Sequence, residues 1–239
     1  MPQQSETVAA WIWKHLYLDG TGLPDYAVGR AGARIVHDLT SPTYGETTQP
    51  NPWAWSWKQP PRTGLSSFPP PESAISSDTQ PGSCWPMRGN RGTLGIALAR
   101  PVAIASFTID HIPRSIAINP STAPRSGELW GVLAKDAWVT DAVPRLESEL
   151  FVLNSSAVIR QFRHLPDSLE QLYSNYDFVR LGSFAYDLDY YLPFQTFHLP
   201  AETSIALGDT PFDIVLLAIS DNWGDQEFTC LYRVRVHPK

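Results

Sequence analysis

Two cysteines, Cys84 and Cys230, are the residues of this chain whose chemistry could decide what it does. Each lies in an apolar or aromatic setting, Gly82-Ser83-Cys84-Trp85 in the first case and Phe228-Thr229-Cys230-Leu231-Tyr232 in the second. Joined, they would close a loop of about 146 residues. In the chain-entropy view such a bond restricts the unfolded chain by about 4 to 5 kcal/mol, and it implies an oxidising compartment. Free, Cys84 is a candidate nucleophile and the chain a candidate enzyme. Two cysteines do not by themselves separate these readings.

The elements that would position them are mostly strands. Ala105, Phe107 and Ile109 alternate with Ser106, Thr108 and Asp110, and Cys230, Tyr232, Val234 and Val236 alternate with Leu231, Arg233, Arg235 and His237. That is the period of a half-buried strand. Residues 92–99, 129–133, 178–186, 194–199 and 212–219 add candidates separated by turn residues. About seven strands without intervening helices predict an all-β, antiparallel sandwich of jelly-roll type. Ser5 can cap one N-terminal helix with Val8, Trp11, Ile12 and Leu16 on a single face, stopped by Gly20 and Gly22. One other stretch, Ser168 to Tyr173 capped by Asp167, offers a second helix inside a polar insertion of about residues 134–177. That insertion contains a glycosylation sequon, Asn154-Ser155-Ser156. Between Tyr44 and Pro81 the chain is rich in proline, serine and tryptophan. Trp53, Trp55 and Trp57 share one face of an extended loop that either binds a partner or folds onto its own core.

With 43% hydrophobic and 18% charged residues, the chain can bury a full core as one domain. A net charge of -6 and no Lys/Arg run argue against nucleic acid and against a polybasic membrane contact. The first residues lack the charged and apolar regions of a signal peptide, and no apolar run reaches membrane-spanning length. If the cysteines are oxidised, the chain is then expected to be a fragment with targeting and membrane parts upstream.

The enzyme reading fails on local chemistry. Gly82-Ser83-Cys84-Trp85 and Asn222-Trp223-Gly224 resemble motifs of papain-like proteases. That chemistry needs the thiolate at a helix N-terminus beside a histidine. Pro86 and Gly89-Asn90-Arg91-Gly92 lead Cys84 into a strand instead, Pro81 replaces the family's preceding cysteine, and His198 belongs to a strand. Gly29-Arg30-Ala31-Gly32 is no phosphate loop, and the six histidines lack zinc spacing. The chain is expected not to be an enzyme.

A different set of motifs runs through the chain in order: Asp25-Tyr26-Ala27, Tyr44, Pro81-Gly82-Ser83-Cys84-Trp85, His111-Ile112-Pro113, Gln195-Thr196-Phe197-His198, and Asn222-Trp223-Gly224 through to His237. Together they resemble a SUN domain, the Sad1-type domain of inner nuclear membrane proteins. The resemblance implies a helix over residues 1–23 and a SUN domain over 24–239, with a KASH-lid-like loop at about 45–70 holding the three tryptophans. It implies a disulfide between Cys84 and Cys230 and, at about 73–84, a loop around a monovalent cation, usually potassium. Backbone carbonyls of Ser73, Ser76, Asp78, Ser83 and Tyr232 would hold that ion, a donor type that suits a hard cation. By position, His111, Thr122, Phe228 and Tyr232 would line the pocket for the proline-rich, carboxylate-ended tail of a KASH protein. The family usually has tyrosine where Phe228 stands, and Thr40 occupies the place of a cysteine that links some members to the peptide. The implied role is a force-transmitting LINC bridge across the perinuclear space, with a homotrimer in the parent protein, helped by an upstream coiled coil, and a monomer open to this fragment. The rival reading is a carbohydrate-binding sandwich, whose exposed tryptophans would stack on sugars.

Overall fold

The computed structural model describes residues 20–45, 68–134, 152–162 and 169–239. The expected N-terminal helix, the three loop tryptophans and the proposed cap Asp167 lie outside these residues. The described strands are β1 (Arg34–Ile35), β2 (Trp85–Arg88), β3 (Gly92–Val102), β4 (Ile104–Asp110), β5 (Pro124–Ala134), β6 (Val152–Asn154), β7 (Tyr176–Ala185), β8 (Phe194–His198), β9 (Phe212–Asn222), β10 (Phe228–Leu231) and β11 (Arg233–Pro238). Three short helices accompany them: α1 (Ser155–Gln161), α2 (Leu169–Leu172) and α3 (Ala201–Leu207).

One layer is a six-stranded sheet in the order β1-β3-β9-β5-β7-β6. Facing it are a three-stranded sheet, β11-β4-β8, and the ribbon β10-β2. All these pairings are antiparallel, so the expected β-sandwich is the observed fold.

Side-chain alternation explains why the large sheet can sit in the middle of the domain. On β9, Val215, Leu217 and Ile219 point into the core shared with the second layer, where they join Phe107, Val234 and Val236. Leu216 and Ala218 point the other way and pack with Trp130, Phe178 and Val158 under α1. A strand buried on both faces reads as an unbroken apolar run, which is the character of Ile214 to Ile219. Central β5 approaches its neighbours closely. A Cβ added at Gly131 would lie 2.3 Å from the Phe212 ring.

Two buried ion pairs, two residues apart on β11, lock the last strand in place. Asp25 accepts from Arg233 at 2.9 Å, from the Ala27 N–H at 2.9 Å and from the Val236 N–H at 3.3 Å. Asp110 holds the Arg235 guanidinium through Nε at 3.0 Å and through Nη2. Carboxylates fixed in this way counter the charge of arginines that would be costly to bury alone.

Three details depart from the sequence expectations. The last strand is two, because the ladder breaks at Tyr232 between β10 and β11. Helices α1 and α3 join the single second helix expected, and of that helix only α2 is described. Strand β2 contains Pro86, which is tolerated because its ribbon has one paired partner strand and only an isolated bridge, Thr43 to Met87, on the other side. Within residues 134–177, β6 pairs with β7 and extends the main sheet as an edge. Among the described residues no helix is long and apolar enough to cross a membrane.

Candidate functional site

Cys84 and Cys230 are joined in a disulfide with their Cα atoms 5.4 Å apart, and no described cysteine is free. The pairing follows from the β2-β10 register, which sets Cys230 opposite Pro86 and Leu231 opposite Trp85. Trp85 is fully buried and donates from its indole to Thr43 Oγ1 at 3.1 Å, anchoring the first cysteine's strand. With its thiol consumed, Cys84 cannot act as a nucleophile. Asn222 is equally occupied. Its Nδ2 donates to the carbonyls of Asp225 and Phe228 at 2.8 and 3.2 Å, and its Oδ1 accepts from the Gly224 N–H at 3.0 Å. The Asn-Trp-Gly motif thus shapes the loop that presents Phe228.

Against the disulfide lies a recess of about 290 Å³. It brings together His111, Thr122, Phe228 and Tyr232, which come from three stretches of chain: the end of β4, the turn before β5 and residues 228–232. Ile112 and Tyr232 pack with the two cysteines as a small cluster of their own. The Tyr232 and His111 rings meet edge to face at 4.9 Å. At the mouth, Tyr44 packs on Phe228 at 5.0 Å and on Phe68 at 5.4 Å.

The polar groups of this apolar recess are few and unequal. His111 is 2% exposed, and its Nδ1 lies 2.9 Å from the Ile112 carbonyl. A carbonyl only accepts, so the proton belongs on Nδ1 and leaves Nε2 a bare acceptor. Nε2 is buried without a partner. Burial lowers the His111 pKa, opposed in part by the Ile112 hydrogen bond. The Tyr232 hydroxyl accepts from the Gly82 N–H at 3.3 Å and keeps its own proton for an acceptor. Burial raises its pKa, with the Gly82 contact working the other way. Thr122 donates its hydroxyl proton to the Asn119 carbonyl at 2.8 Å, so its oxygen faces a ligand as an acceptor. An extended peptide with a terminal carboxylate offers both partners these groups lack.

The loop leading to Cys84 is built by its own side chains. Ser76 Oγ accepts from the Asp78 N–H at 3.1 Å, Asp78 Oδ1 from the Gln80 N–H at 3.0 Å, and Asp78 Oδ2 from the Ser83 hydroxyl at 3.1 Å. Asp78 therefore acts as a turn former. Gly82 has φ 92°, a region that disfavours any side chain, and this geometry aims its N–H at Tyr232. The Ser76, Asp78, Gln80 and Ser83 N–H groups are turned onto the loop's own oxygens, while the Ser76, Asp78 and Ser83 carbonyls receive no hydrogen bond among the described residues. The Ser73 carbonyl accepts from the Ser76 N–H at 3.1 Å. This donor set, neutral oxygen without nitrogen or sulfur, fits a hard monovalent cation. Among the described residues no group of three His, Cys, Asp or Glu side chains could hold a metal.

Sequence reasoning left out Phe68, Pro69, Ile118 and Asn119, which also line the recess. Ile118 is 92% exposed. The available signal was two isoleucines, Ile116 and Ile118, in a loop otherwise rich in proline and serine. Thr40 donates to the Val36 carbonyl at 2.8 Å and accepts from the Gly95 N–H at 3.1 Å, a structural role for the residue at the linking-cysteine position.

Comparison with known proteins places this geometry. The family model Sad1 / UNC-like C-terminal matches residues 66–152 and 152–239. SUN domain-containing protein 5 of Mus musculus is 28% identical over 97% of this chain and 49% of its own length. SUN domain-containing protein 1 of Homo sapiens is 30% identical over 92% of this chain and 22% of its own length. This chain thus spans about half the first relative and less of the second. A family 32 carbohydrate-binding module from Streptococcus pneumoniae EndoD aligns over 90% of this chain at 9% identity with a TM-score of 0.48, a likeness too slight to speak to ligand. The two family-model matches span the sandwich from the end of the Trp-rich loop to the last residue, and the chain belongs to the Sad1/UNC-like C-terminal family as a SUN domain.

Proposed function

We propose that this SUN domain grips the C-terminal tail of a KASH protein in the perinuclear space. It would serve as the inner half of a LINC bridge, in a parent protein anchored in the inner nuclear membrane and not as an enzyme. The observation that carries this reading is the recess itself. His111, Thr122, Phe228 and Tyr232 surround one apolar hollow in which an acceptor atom and a hydroxyl proton wait for partners. Proline rings suit the aromatic and aliphatic walls, and the Tyr232 hydroxyl suits a carboxylate. Phe68 and Pro69 line the recess where the lid-like loop of about residues 45–70 ends, so Trp53, Trp55 and Trp57 fall in the segment that would close over the peptide.

In the same reading a potassium ion sits in the loop of about 73–84, held by carbonyls of Ser73, Ser76, Asp78, Ser83 and Tyr232. It would brace the Gly82 N–H against Tyr232 and so hold the recess wall in place. The parent protein binds as a homotrimer.

Calorimetric titration tests the reading, with a synthetic peptide ending in three prolines added with a free or an amidated C-terminus. Binding that depends on the free carboxylate and is lost in Tyr232→Phe is expected. Equal binding of both peptides, or none, overturns it.

A further inference from the structure

Asn154 differs from every other asparagine of the chain in its sequence context. It opens the chain's single Asn-X-Ser/Thr sequon with X other than proline, Asn154-Ser155-Ser156. The near match Asn119-Pro120-Ser121 is disqualified by its proline, and its side chain is committed in the fold: Nδ2 donates to Asp225 at 2.9 Å, and Oδ1 accepts from Ser121. Asn154 differs on each count. It is exposed at the end of β6, the outer strand of the six-stranded sheet, and stands at the start of α1. There its Oδ1 accepts from the Ala157 N–H at 2.8 Å. Its Nδ2 has no partner among the described residues. The cap uses the oxygen and leaves the nitrogen for chemistry.

We infer that Asn154 carries this glycan in the native protein, an inference that rests on the luminal placement proposed above. In the transfer, the Nδ2 attacks C1 of a lipid-pyrophosphate-linked oligosaccharide. An N–C1 bond forms, the C1–O bond to pyrophosphate breaks with its electron pair on the leaving lipid pyrophosphate, and the amide gives up one proton to base. The modified nitrogen retains one hydrogen and Oδ1 keeps its lone pairs, so the helix cap survives. The Ser156 hydroxyl, the second half of the sequon, bonds Glu170 on α2 and keeps the α1-α2 pair closed beside the attachment point. A glycan here would stand beside the edge of β6 that has no partner strand among the described residues, a kind of edge that invites pairing with another chain. No residue lining the recess lies on β6, β7 or α1, so the sugar stands clear of the peptide site.

The full-length parent protein, tagged and expressed in its own cells, is compared by gel mobility before and after peptide-N-glycosidase. Wild type and Ser156→Thr are expected to lose one mobility step on treatment that Asn154→Asp and Ser156→Ala never show. Asn154→Asp keeps the capping oxygen, so its fold is preserved, and its binding of the proline-ended peptide should equal that of wild type. Thiol labelling of the same extracts separates the two layers of the inference. If Cys84 and Cys230 resist labelling until reduced and Asn154 still carries no sugar, the glycan is refuted while the luminal reading stands. If both thiols label directly and no step is seen, the luminal reading falls and the glycan with it.

Discussion

β4 and β11 run antiparallel from Arg233 opposite Asp110 to Pro238 opposite Ile104, and a histidine is buried near each end of that ladder. His237 is 1% exposed and His111 is 2% exposed, and burial lowers the pKa of both. Their hydrogen bonds differ. His237 donates through Nδ1 to the Pro24 carbonyl at 2.8 Å and accepts at Nε2 from Thr108 at 2.7 Å, with Thr108 in turn bonded to Thr196 at 2.7 Å. His111 has the first kind of bond, to Ile112, and nothing at Nε2. A buried polar atom without a partner is costly, and folds retain few of them. The complete network belongs to the fold, tying the segment around Asp25 to the last strand. The incomplete one faces the recess, where a ligand can finish it.

The largest expected effect comes from Asp25, which spans the ladder from Arg233 to the Val236 N–H beside His237. Asp25→Ala removes the carboxylate paired with the Arg233 guanidinium, whose side chain is 3% exposed, and takes acceptors from two N–H groups. A loss of about 3–5 kcal/mol in unfolding free energy is expected from removing one member of a buried ion pair, read from the urea midpoint at constant slope. A loss below about 1 kcal/mol would show that the Asp25–Arg233 pair does not hold this segment to the last strand. Next comes the direct exchange. His237→Phe leaves the Pro24 carbonyl and the Thr108 hydroxyl without their partner and should cost about 1–3 kcal/mol of stability. His111→Phe gives up one ordinary hydrogen bond and should cost about 1 kcal/mol or less, while weakening the proline-ended peptide measurably. Should the two variants destabilise equally and bind equally, the distinction between the two ends collapses.

The strands that alternate, such as Ala105 to Asp110, were legible as strands because period two has one geometric meaning, but they are not half-buried as expected, since Ser106, Thr108 and Asp110 on the polar face are covered as well. The apolar run on β9 marked a strand, and the structure adds the reason, burial on both faces. Strand β2 was hidden by Pro86, a residue that argues against a strand unless one side is nearly free. Helix α3 was hidden by its length, a single buried face of Thr203 and Leu207 between two strand segments. The break at Tyr232 could not be seen, since Cys230, Tyr232, Val234 and Val236 keep the alternation through it. At the recess, the family motifs named residues one stretch at a time. The neighbours Tyr44, Phe68 and Ile118 entered only through tertiary contact, because a side chain's distance from Phe228 in space leaves no trace in local spacing.

The smallest effect separates the two histidines by proton linkage. Both have folded pKa values below the ordinary 6.5, so the unfolded chain binds protons first as the pH falls. Each therefore contributes stability above that value and loses it on acidification. Binding has the opposite sign and belongs to His111 alone. A peptide carboxylate in the recess favours a protonated Nε2, which then donates to it instead of accepting, and raises the His111 pKa in the complex, whereas nothing in the bound state changes for His237, whose partners are already in place. The charges near His111 leave this argument intact: Asp110 is neutralised by Arg235, and the rings of Tyr232 and Tyr186 facing His111 stay protonated, since burial pushes both pKa values up. Between the free and bound pKa values of His111 the complex takes up a proton, and affinity for the free-acid peptide rises by up to about tenfold per unit fall in pH. Titrations in buffers of different ionisation enthalpy measure that uptake directly. The slope should vanish with the amidated peptide and in His111→Gln, and survive in His237→Gln. A slope that persists without the carboxylate would place the titrating group elsewhere and leave Nε2 of His111 a packing defect.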